Sequence, residues 1–540
     1  MTRIANGLII DGTGRPGFIG DILVAGDRIV AVEPREAGHQ DARTPGQTGS
    51  DVLIDATGCL VTPGFIDAHT HSDAYLVIEP DAPSKISQGI TTEINGQCGG
   101  SVVPRYGEAR LSSDWAAILG ERLTWHSLGE YRAVLEAARP AVNTVQFVGH
   151  NTLRSSVVGY CGRPATDDEQ RKMEYLLEQA LEEGGWGLTT GLIYQPGKYA
   201  TPDEVVALAK VAAKKSGFYA THMRSEGDAI LESIDEVIDL VKATGIRAEI
   251  SHLKTSGRKN WHKIDAVLDK MEDAIGKGLL LGSDRYPYCA AGTDLDVVFP
   301  DWAGEGAAPA ECRRLADPAT RRHIVDEIDA QDRDWSTVMI GGTWHSDNKR
   351  YSGKTVAEIL GFRTARALTS STGATLTPGE LICDILAKDG CKTGAFFFTM
   401  SEQNLAKIYA RPWIIPGSDA SLRAPWGPLG ADHPHPRAYA TMPEFYRRVR
   451  ALGFSREETV ARMTSVIARR FDIPNRGTLE RGAFADLVVW KEEDFKAQST
   501  FDDPHRFSTG VKLAMVNGTV PYRDGTFTGD RGGRLLTQKK

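Results

Sequence analysis

Short apolar runs alternate with longer amphipathic stretches through the middle of this chain. The short runs have the length of buried strands, and the stretches between them repeat apolar residues at helical spacing. Strands that alternate with helices are typical of βα units, in which each helix returns the chain to the same end of a parallel sheet. Eight such units predict an α/β fold with a closed (β/α)8 TIM barrel. The predicted strands are 61–68, 90–95, 142–149, 186–191, 217–222, 247–252, 278–284 and 412–419, and the clearest helices between them are 166–183, 202–215, 228–243 and 262–275.

The strand spacing becomes irregular after residue 288. Further strand candidates lie at 337–341 and 395–400, so the pattern leaves open which candidate is the seventh barrel strand. The segment 289–350 begins with many Gly, Pro and Ala residues and continues as a charged helical stretch. Long insertions after barrel strands often serve as lids. We therefore predict that an insertion at 289–350 covers the barrel mouth and opens and closes over a ligand.

The two ends of the chain share a different pattern. Residues 1–60 and 476–540 contain short apolar or alternating runs separated by Gly and Asp turns, which are typical of β-strands. Because the ends of a compact unit often lie close together, the two regions are predicted to form one small β-sandwich domain. Two separate β-flaps are the alternative. Residues 61–475 would then form the barrel domain.

Composition and charge are those of an ordinary globular protein. Hydrophobic residues make up 41% of the chain, charged residues 25%, and the formal net charge is −8, so neither a nucleic-acid nor a membrane-surface partner is expected. The Cys residues are scattered singly, without a CxxC pair, which argues against a disulfide framework. The sequence has no signal-peptide pattern and no apolar run that could span a membrane, so a cytoplasmic location is expected.

Candidate metal ligands lie where the predicted strands end. The first strand ends in His69-Thr70-His71, and residues i and i+2 of a strand point to the same side. Side chains at the same end of successive βα units gather at one end of a barrel, where catalytic residues lie. Imidazoles, a thiolate and a carboxylate suit Zn²⁺. The complete candidate set is His69, His71, Cys98, His222, His252 and Asp419.

Each candidate also has a purely structural interpretation. Cys98 alone could be a buried inert thiol, Asp419 could cap a helix, and a single His could be a hydrogen-bonded core residue. The shared phase of the whole set favours metal binding. His150 also ends a predicted strand, and the sequence leaves open whether it lines the site or orders a loop.

The order of these motifs resembles the amidohydrolase superfamily and, within it, the D-aminoacylase (N-acyl-D-amino-acid deacylase) branch. The superfamily resemblance rests on Pro63-Gly64-Phe65-Ile66-Asp67-Ala68-His69-Thr70-His71, the two later histidines and Asp419. The branch resemblance runs in the same order from about residue 60 to 490 and rests on segments 89–99, 149–154, 187–194, 221–227, 251–254, 286–288, 417–419 and 435–437.

The resemblance implies a zinc-dependent hydrolase that cleaves N-acyl-D-amino acids to a D-amino acid and a carboxylic acid. Most dinuclear relatives bridge their metals with a carboxylated Lys, whereas this branch uses a Cys, which Cys98 matches. By this resemblance one Zn²⁺ is held tightly by Cys98, His222 and His252, and a second, weaker position involves His69, His71 and Asp419.

The resemblance also implies roles around the metal. Asp419 would take a proton from the metal-activated water as general base and return it to the leaving amine as general acid. Lys254, Tyr288 and Arg437 match residues that hold the substrate carboxylate. An Arg fork beside a Lys charge suits that task. The expected partner is therefore a small N-acyl amino acid.

Two short segments depart from the family pattern, and two alternative functions are weighed against the deacylase. Gly99-Gly100-Ser101 stands where relatives often carry Gly-Phe, and Ala420-Ser421 follows Asp419 in place of Gly, so the acyl-group and side-chain preferences stay open. A cyclic amidase of the dihydroorotase or hydantoinase type would usually carry the bridging Lys, and Cys98 argues against it. A non-catalytic scaffold on the same fold would lose ligands, whereas the set here is complete. The sequence does not determine the oligomeric state.

Overall fold

Parallel strands form the centre of the molecule. The computed structural model describes residues 1–35, 52–111, 113–367 and 376–538. Each of the eight predicted strand regions overlaps an observed strand. We call the following the central strands, in chain order: Phe65–Asp67, Ile90–Asn95, Asn143–Gln146 continued by Val148–Gly149, Gly187–Gly191, Phe218–His222, Arg247–Ile250, Leu281–Arg285 and Ile414–Pro416.

The central strands are hydrogen-bonded to one another in chain order. Every pair is parallel. The last strand returns to the first, because Ala68 N donates to Pro416 O at 3.2 Å and Asp419 N donates to His69 O at 2.8 Å. All central strands therefore end on the same side of one circular arrangement.

The seventh central strand is Leu281–Arg285, which pairs in parallel with the strands before and after it. The other two candidates form Val338–Ile340 and Gly394–Phe397, and these pair antiparallel with each other. A third strand, Ala291–Asp294, completes this small sheet. The sequence could not choose among the three candidates for the seventh strand, 278–284, 337–341 and 395–400, because all are short apolar runs of similar length.

Helices pack on the outside of the central strands. Helix Asp167–Glu182 shows the local rules: Thr166 and Glu169 form a capping box at its start, and Met173, Leu177 and Leu181 form its buried stripe at i, i+4 spacing. No helix in the described part of the chain is long and apolar enough to cross a membrane. The helices of this layer are Tyr75–Ile78, Pro83–Ile86, Ser113–Leu119, Leu128–Ala138, His150–Val157, Asp167–Glu182, Pro202–Lys214, Ile230–Thr244, Ile264–Gly276, Glu402–Tyr409, Arg437–Ala451, Arg456–Met463 and Ser465–Arg470.

The insertion between the seventh and eighth central strands has its own hydrophobic core, which runs from Leu295 to Phe397. The unit therefore extends beyond the predicted end at residue 350, since Gly394–Phe397 is the middle strand of its sheet. Its helices are Asp301–Gly304, Ala307–Ala316, Pro318–Asp329, Val356–Ala367 and Pro378–Asp389.

Strands from both ends of the chain lie in one nine-stranded sheet. Leu60–Pro63 pairs antiparallel with Leu487–Trp490, which joins the two ends. The alternative of two separate flaps is therefore wrong. The strands of this sheet, called the terminal sheet below, are Thr2–Ile9, Phe18–Ala25, Arg28–Pro34, Val52–Asp55, Leu60–Pro63, Leu487–Trp490, Val511–Val516, Thr519–Arg523 and Thr526–Phe527.

Candidate metal centre

The predicted metal ligands meet at the carboxyl ends of the central strands. They form two overlapping groups in which the potential ligand atoms lie within 4.8 Å of one another. Cys98 belongs to both groups: its Sγ lies 3.4 Å from His69 Nε2 and 3.3 Å from His252 Nε2. The thiol therefore lies between two possible metal positions. The groups are His69, His71, Cys98 and Asp419, and Cys98, His222 and His252.

Three of these residues have left-handed backbone conformations. The φ angles are 52° at Cys98, 38° at His252 and 50° at Asp419. Side chains other than Gly rarely adopt this region, and such strain, about 1–3 kcal/mol per residue, concentrates at functional sites. Each residue lies just beyond the end of its strand, where a sharp turn redirects the side chain toward the centre. Gly99 allows this turn after Cys98, because a Cβ there would lie 2.3 Å from Asn151 Oδ1.

Asp284 contacts the His69 imidazole and the His252 backbone, and sequence reasoning missed it. Its Oδ2 lies 3.2 Å from His69 Nδ1, and its Oδ1 accepts a hydrogen bond from His252 N at 3.0 Å. A carboxylate on Nδ1 leaves Nε2 of His69 facing the cluster, which is the usual arrangement behind a metal-binding His. The available signal was a charged residue inside a predicted buried strand, since buried charges are almost always paired.

Glu226 was missed as well, although it lies in a motif that the sequence singles out. Its Oε1 is 2.9 Å from His252 Nδ1, and its Oε2 is 3.5 Å from His222 Nε2. Lys254 Nζ donates to the same Oε1 and also lies 2.8 Å from His252 Nδ1. Burial opposes the charged form, but His222 and Lys254 hold the pKa of Glu226 well below its usual range. Lys254 is therefore already paired with an anion.

The charges of the cluster suit a cation. Burial opposes ionisation of the Cys98 thiol, yet His69 and His252 bring the pKa of Cys98 well below its usual value. Burial lowers the pKa of His71, but hydrogen bonds to Asp419 and Cys98 raise it to about 9. A thiolate and a carboxylate are thus balanced by protons on imidazoles. A bound Zn²⁺ would replace those protons, because metal ligation requires neutral His and ionised Cys.

Asp419 faces both the imidazoles and an arginine. Its Oδ1 lies 3.0 Å from His71 Nε2 and 3.3 Å from His69 Nε2, while its Oδ2 lies 2.8 Å from Arg437 Nη1. Burial favours the neutral acid, but Arg437 and His252 hold the pKa of Asp419 well below its usual range. The side chain is therefore a carboxylate, the form that can accept a proton.

The residues predicted to hold a substrate carboxylate are only partly brought together. Arg437 Cζ lies 4.5 Å and Lys254 Nζ 5.9 Å from the centre of the Tyr286 ring. The Tyr288 ring instead packs against His435, with 5.2 Å between ring centres. Among the described contacts, none joins Tyr288 to Lys254 or Arg437. Tyr286, two residues earlier, contacts both cations instead.

Tyr194 and the insertion form another wall of the site. The Tyr194 and His222 ring centres are 4.8 Å apart. Burial and the nearby Cys98 raise the pKa of Tyr194 well above its usual value, although a hydrogen bond to Thr293 acts in the opposite direction. Thr293 belongs to the first strand of the insertion, which therefore reaches the ligand cluster.

His150 is not part of the ligand cluster. Its Nε2 lies 2.8 Å from Glu204 Oε1, and Arg154 Nε donates to the same oxygen at 3.0 Å. All three side chains are buried. The geometry therefore decides the question that the sequence left open: His150 orders the start of its helix.

Comparison with known proteins finds relatives that match nearly the whole chain. The Amidohydrolase family matches residues 52–339. An N-acyl-D-glutamate deacylase of Alcaligenes xylosoxydans xylosoxydans is 32% identical over 99% of this chain and 96% of the relative. A D-aminoacylase of the same organism is 30% identical over 99% of this chain and 97% of the relative. A solved structure of N-acyl-D-glutamate deacylase from Bordetella bronchiseptica, complexed with zinc and a phosphonate that mimics the tetrahedral intermediate, is 30% identical, covers 99% of each chain and has a TM-score of 0.79.

Proposed function

The chain belongs to the amidohydrolase family, and from that premise we propose that it is a zinc-dependent hydrolase that cleaves N-acyl-D-amino acids to a D-amino acid and a carboxylic acid. The observation that carries the proposal is the position of Cys98 between the two ligand groups. Relatives named for N-acyl-D-amino acid deacylation match nearly the whole chain, which supports both the reaction and the D configuration.

The proposed zinc ligands follow the two groups. Cys98, His222 and His252 would hold one Zn²⁺ tightly, and His69, His71 and Asp419 would provide a second, weaker position. Bound zinc lowers the pKa of water and polarises the scissile carbonyl. Asp419 accepts the proton of the attacking water and returns it to the leaving amine. Its low pKa keeps Asp419 ionised and able to accept a proton, while it also lowers the strength of the carboxylate as a base.

Carboxylate recognition is proposed for Lys254, Tyr288 and Arg437. Arg437 can fork onto a carboxylate while Lys254 adds a point charge. Both cations already contact anions, Asp419 and Glu226, so a substrate carboxylate would have to share them. This arrangement links substrate binding directly to the general base.

The proposed architecture is a (β/α)8 TIM barrel at 61–475 with a β-sandwich domain from 1–60 and 476–540. The circular order of the parallel central strands supports the barrel. We propose that the insertion acts as a lid over the barrel mouth. Its first strand supplies Gly292 O, which accepts from Arg437 Nη2 at 3.3 Å, and this contact supports a place beside the substrate.

A substrate panel tests the proposal. Zinc-loaded protein is assayed with matched N-acetyl-D- and N-acetyl-L-amino acids bearing acidic and neutral side chains, and with a hydantoin and dihydroorotate as cyclic amides. We expect turnover of the D substrates alone. Equal rates on L substrates, or turnover restricted to the cyclic amides, would overturn the assignment.

Asp419→Ala tests the mechanism. The variant should keep the tight zinc and lose activity by a factor on the order of 10² or more, because acid–base groups contribute at least that much. Turnover close to that of the unmodified enzyme would reduce Asp419 to a structural carboxylate. Zinc content is measured in parallel so that loss of metal is not mistaken for loss of the base.

A further inference from the structure

A lysine without exposed surface lies directly behind the metal centre. Lys85 is 0% exposed. Its Nζ lies 3.0 Å from Asp67 Oδ2, 3.1 Å from Glu93 Oε1, 3.0 Å from Ser418 Oγ and 3.0 Å from Ala420 O. The ammonium has three protons and contacts four oxygens, so its donor capacity is fully used.

The four oxygens come from three parts of the chain that meet at the site. Asp67 ends the first central strand, two residues before His69, and Glu93 lies in the second central strand. Ser418 and Ala420 are the two neighbours of Asp419. Lys85 therefore connects the first and second central strands with the turn that follows the eighth.

The turn that carries Asp419 needs such support. With φ at 50°, Asp419 is in a sparsely populated region that persists only where its surroundings fix it. Lys85 holds the residue on each side of this turn, and Ser418 N also donates to Asp67 Oδ1 at 2.8 Å. Removal of the ammonium would leave the Ser418 hydroxyl and the Ala420 carbonyl without this shared donor.

Stability alone gives little reason for this charge network. A buried ion pair is often no more stabilising than apolar side chains of similar volume. Orientation gives a better reason, because the network fixes the backbone on both sides of one carboxylate. The Asp419 Oδ1 that it positions lies 3.0 Å from His71 Nε2.

We propose that Lys85 is a positioning residue for Asp419: its ammonium holds the left-handed turn at Ser418–Ala420 and so aims the carboxylate at the metal position and the attacking water. The inference rests on the proposed role of Asp419 as general base. The described contacts of the Lys85 ammonium include no candidate metal ligand, and it acts on Asp419 through the Ser418 hydroxyl and the Ala420 carbonyl.

The kinetic test compares Glu93→Gln with the double variant Glu93→Gln/Lys85→Met. The first change removes one buried carboxylate, so that loss of the ammonium in the second leaves fewer unpaired charges. Relative to Glu93→Gln, the double variant should lose at least about tenfold in kcat, with KM within about threefold, because misplacement affects the proton transfer and not binding. The tight zinc should stay at one per chain. An unchanged kcat in the double variant would overturn the proposal.

Ser418→Ala provides a milder variant if the double variant folds poorly. It removes one acceptor of Lys85 and leaves all charges in place, and it should lower kcat several-fold with KM unchanged. Arg476→Met is the matched control. Arg476 forms a buried ion pair with Asp486, the residue before strand Leu487–Trp490, and its described contacts include no candidate metal ligand, so its loss should lower Tm without changing kcat. An equal fall in kcat in Arg476→Met would show that general destabilisation explains the effect.

Crystal structures of the variants give a readout that does not depend on catalysis. In Glu93→Gln/Lys85→Met, Asp419 should leave the left-handed region, and the distance from its Oδ1 to His71 Nε2 should exceed the present 3.0 Å. A turn that keeps φ near 50° without Lys85 would overturn the proposal even if the activity is lost. Absence of deacylase activity in the unmodified enzyme would contradict the proposed function alone, and the backbone measurement would still decide the role of Lys85.

Discussion

The two halves of the site are built differently. On the proposed metal side, each candidate ligand lies at or just beyond the end of a central strand, and the circular strand order sets the distances between these side chains. On the proposed carboxylate side, Lys254 lies beyond a strand end and Arg437 begins a helix. The two contact Glu226 and Asp419, and Tyr288 packs elsewhere. Strand ends thus fix one half of the site, whereas ion pairs between side chains from separate loops and from the start of helix Arg437–Ala451 fix the other. Substitutions on the metal side should abolish activity, and substitutions on the carboxylate side should lower kcat/KM without abolishing activity.

The largest effect is expected from Cys98→Ala. The thiol is common to both ligand groups, so its removal should release the tight zinc and reduce activity to background. Zinc per chain and turnover are measured on the same preparation. The exposed Cys161 provides the control, and Cys161→Ala should retain both metal and activity. Stoichiometric zinc in Cys98→Ala would show that the two imidazoles suffice and that the metal side does not depend on the thiolate.

An intermediate effect is expected from Arg437→Ala. Charge-assisted hydrogen bonds contribute about 1.5–3 kcal/mol, so kcat/KM should fall by about 10- to 100-fold, mainly through KM. Zinc content should not change. Arg437→Lys keeps the charge without the planar fork and should recover only part of the loss. An unchanged kcat/KM in Arg437→Ala would remove Arg437 from the carboxylate site.

The smallest effect is expected from Tyr288→Phe, which is compared with Tyr286→Phe. Tyr288→Phe removes only the predicted carboxylate donor and should raise KM by about two- to tenfold, the range of one hydrogen bond. Tyr286→Phe is the matched control, because the Tyr286 hydroxyl lies 4.0 Å from Met400 Sδ and only its ring faces Arg437. A larger rise in KM in Tyr286→Phe than in Tyr288→Phe would assign carboxylate binding to Tyr286 and correct the sequence-based assignment.

The same contrast explains how far the sequence could predict the site. The clustering of His69, His71, His222 and the other candidate ligands could be predicted because strand phase is a local property that also determines which end a side chain occupies. The left-handed turn at Asp419 could not be found, since it depends on Lys85, more than 300 positions away. Asp284 and Glu226 were missed because their role appears only when His69, His222 and His252 meet in space.

The sequence was also insufficient to identify the seventh strand and the length of the insertion. The identity of the seventh strand depended on whether an apolar run pairs in parallel with Arg247–Ile250, and no local pattern carries that information. The insertion was predicted too short, because its sheet takes its middle strand from Gly394–Phe397, long after the helices that suggested it. Its proposed motion as a lid stays a prediction.

The terminal sheet has a consequence for biosynthesis. Trp490 Nε1 donates to Thr62 Oγ1 at 3.1 Å, and the two residues are 428 positions apart. At a translation rate of about 5–20 residues per second, a nascent chain would wait roughly 20–90 s between the synthesis of Leu60–Pro63 and the arrival of its partner strand. During that time the first-made strands would present an open edge, which favours association with other chains. The ribosome-bound chain should therefore depend on chaperones until the last strands emerge and pair with this edge.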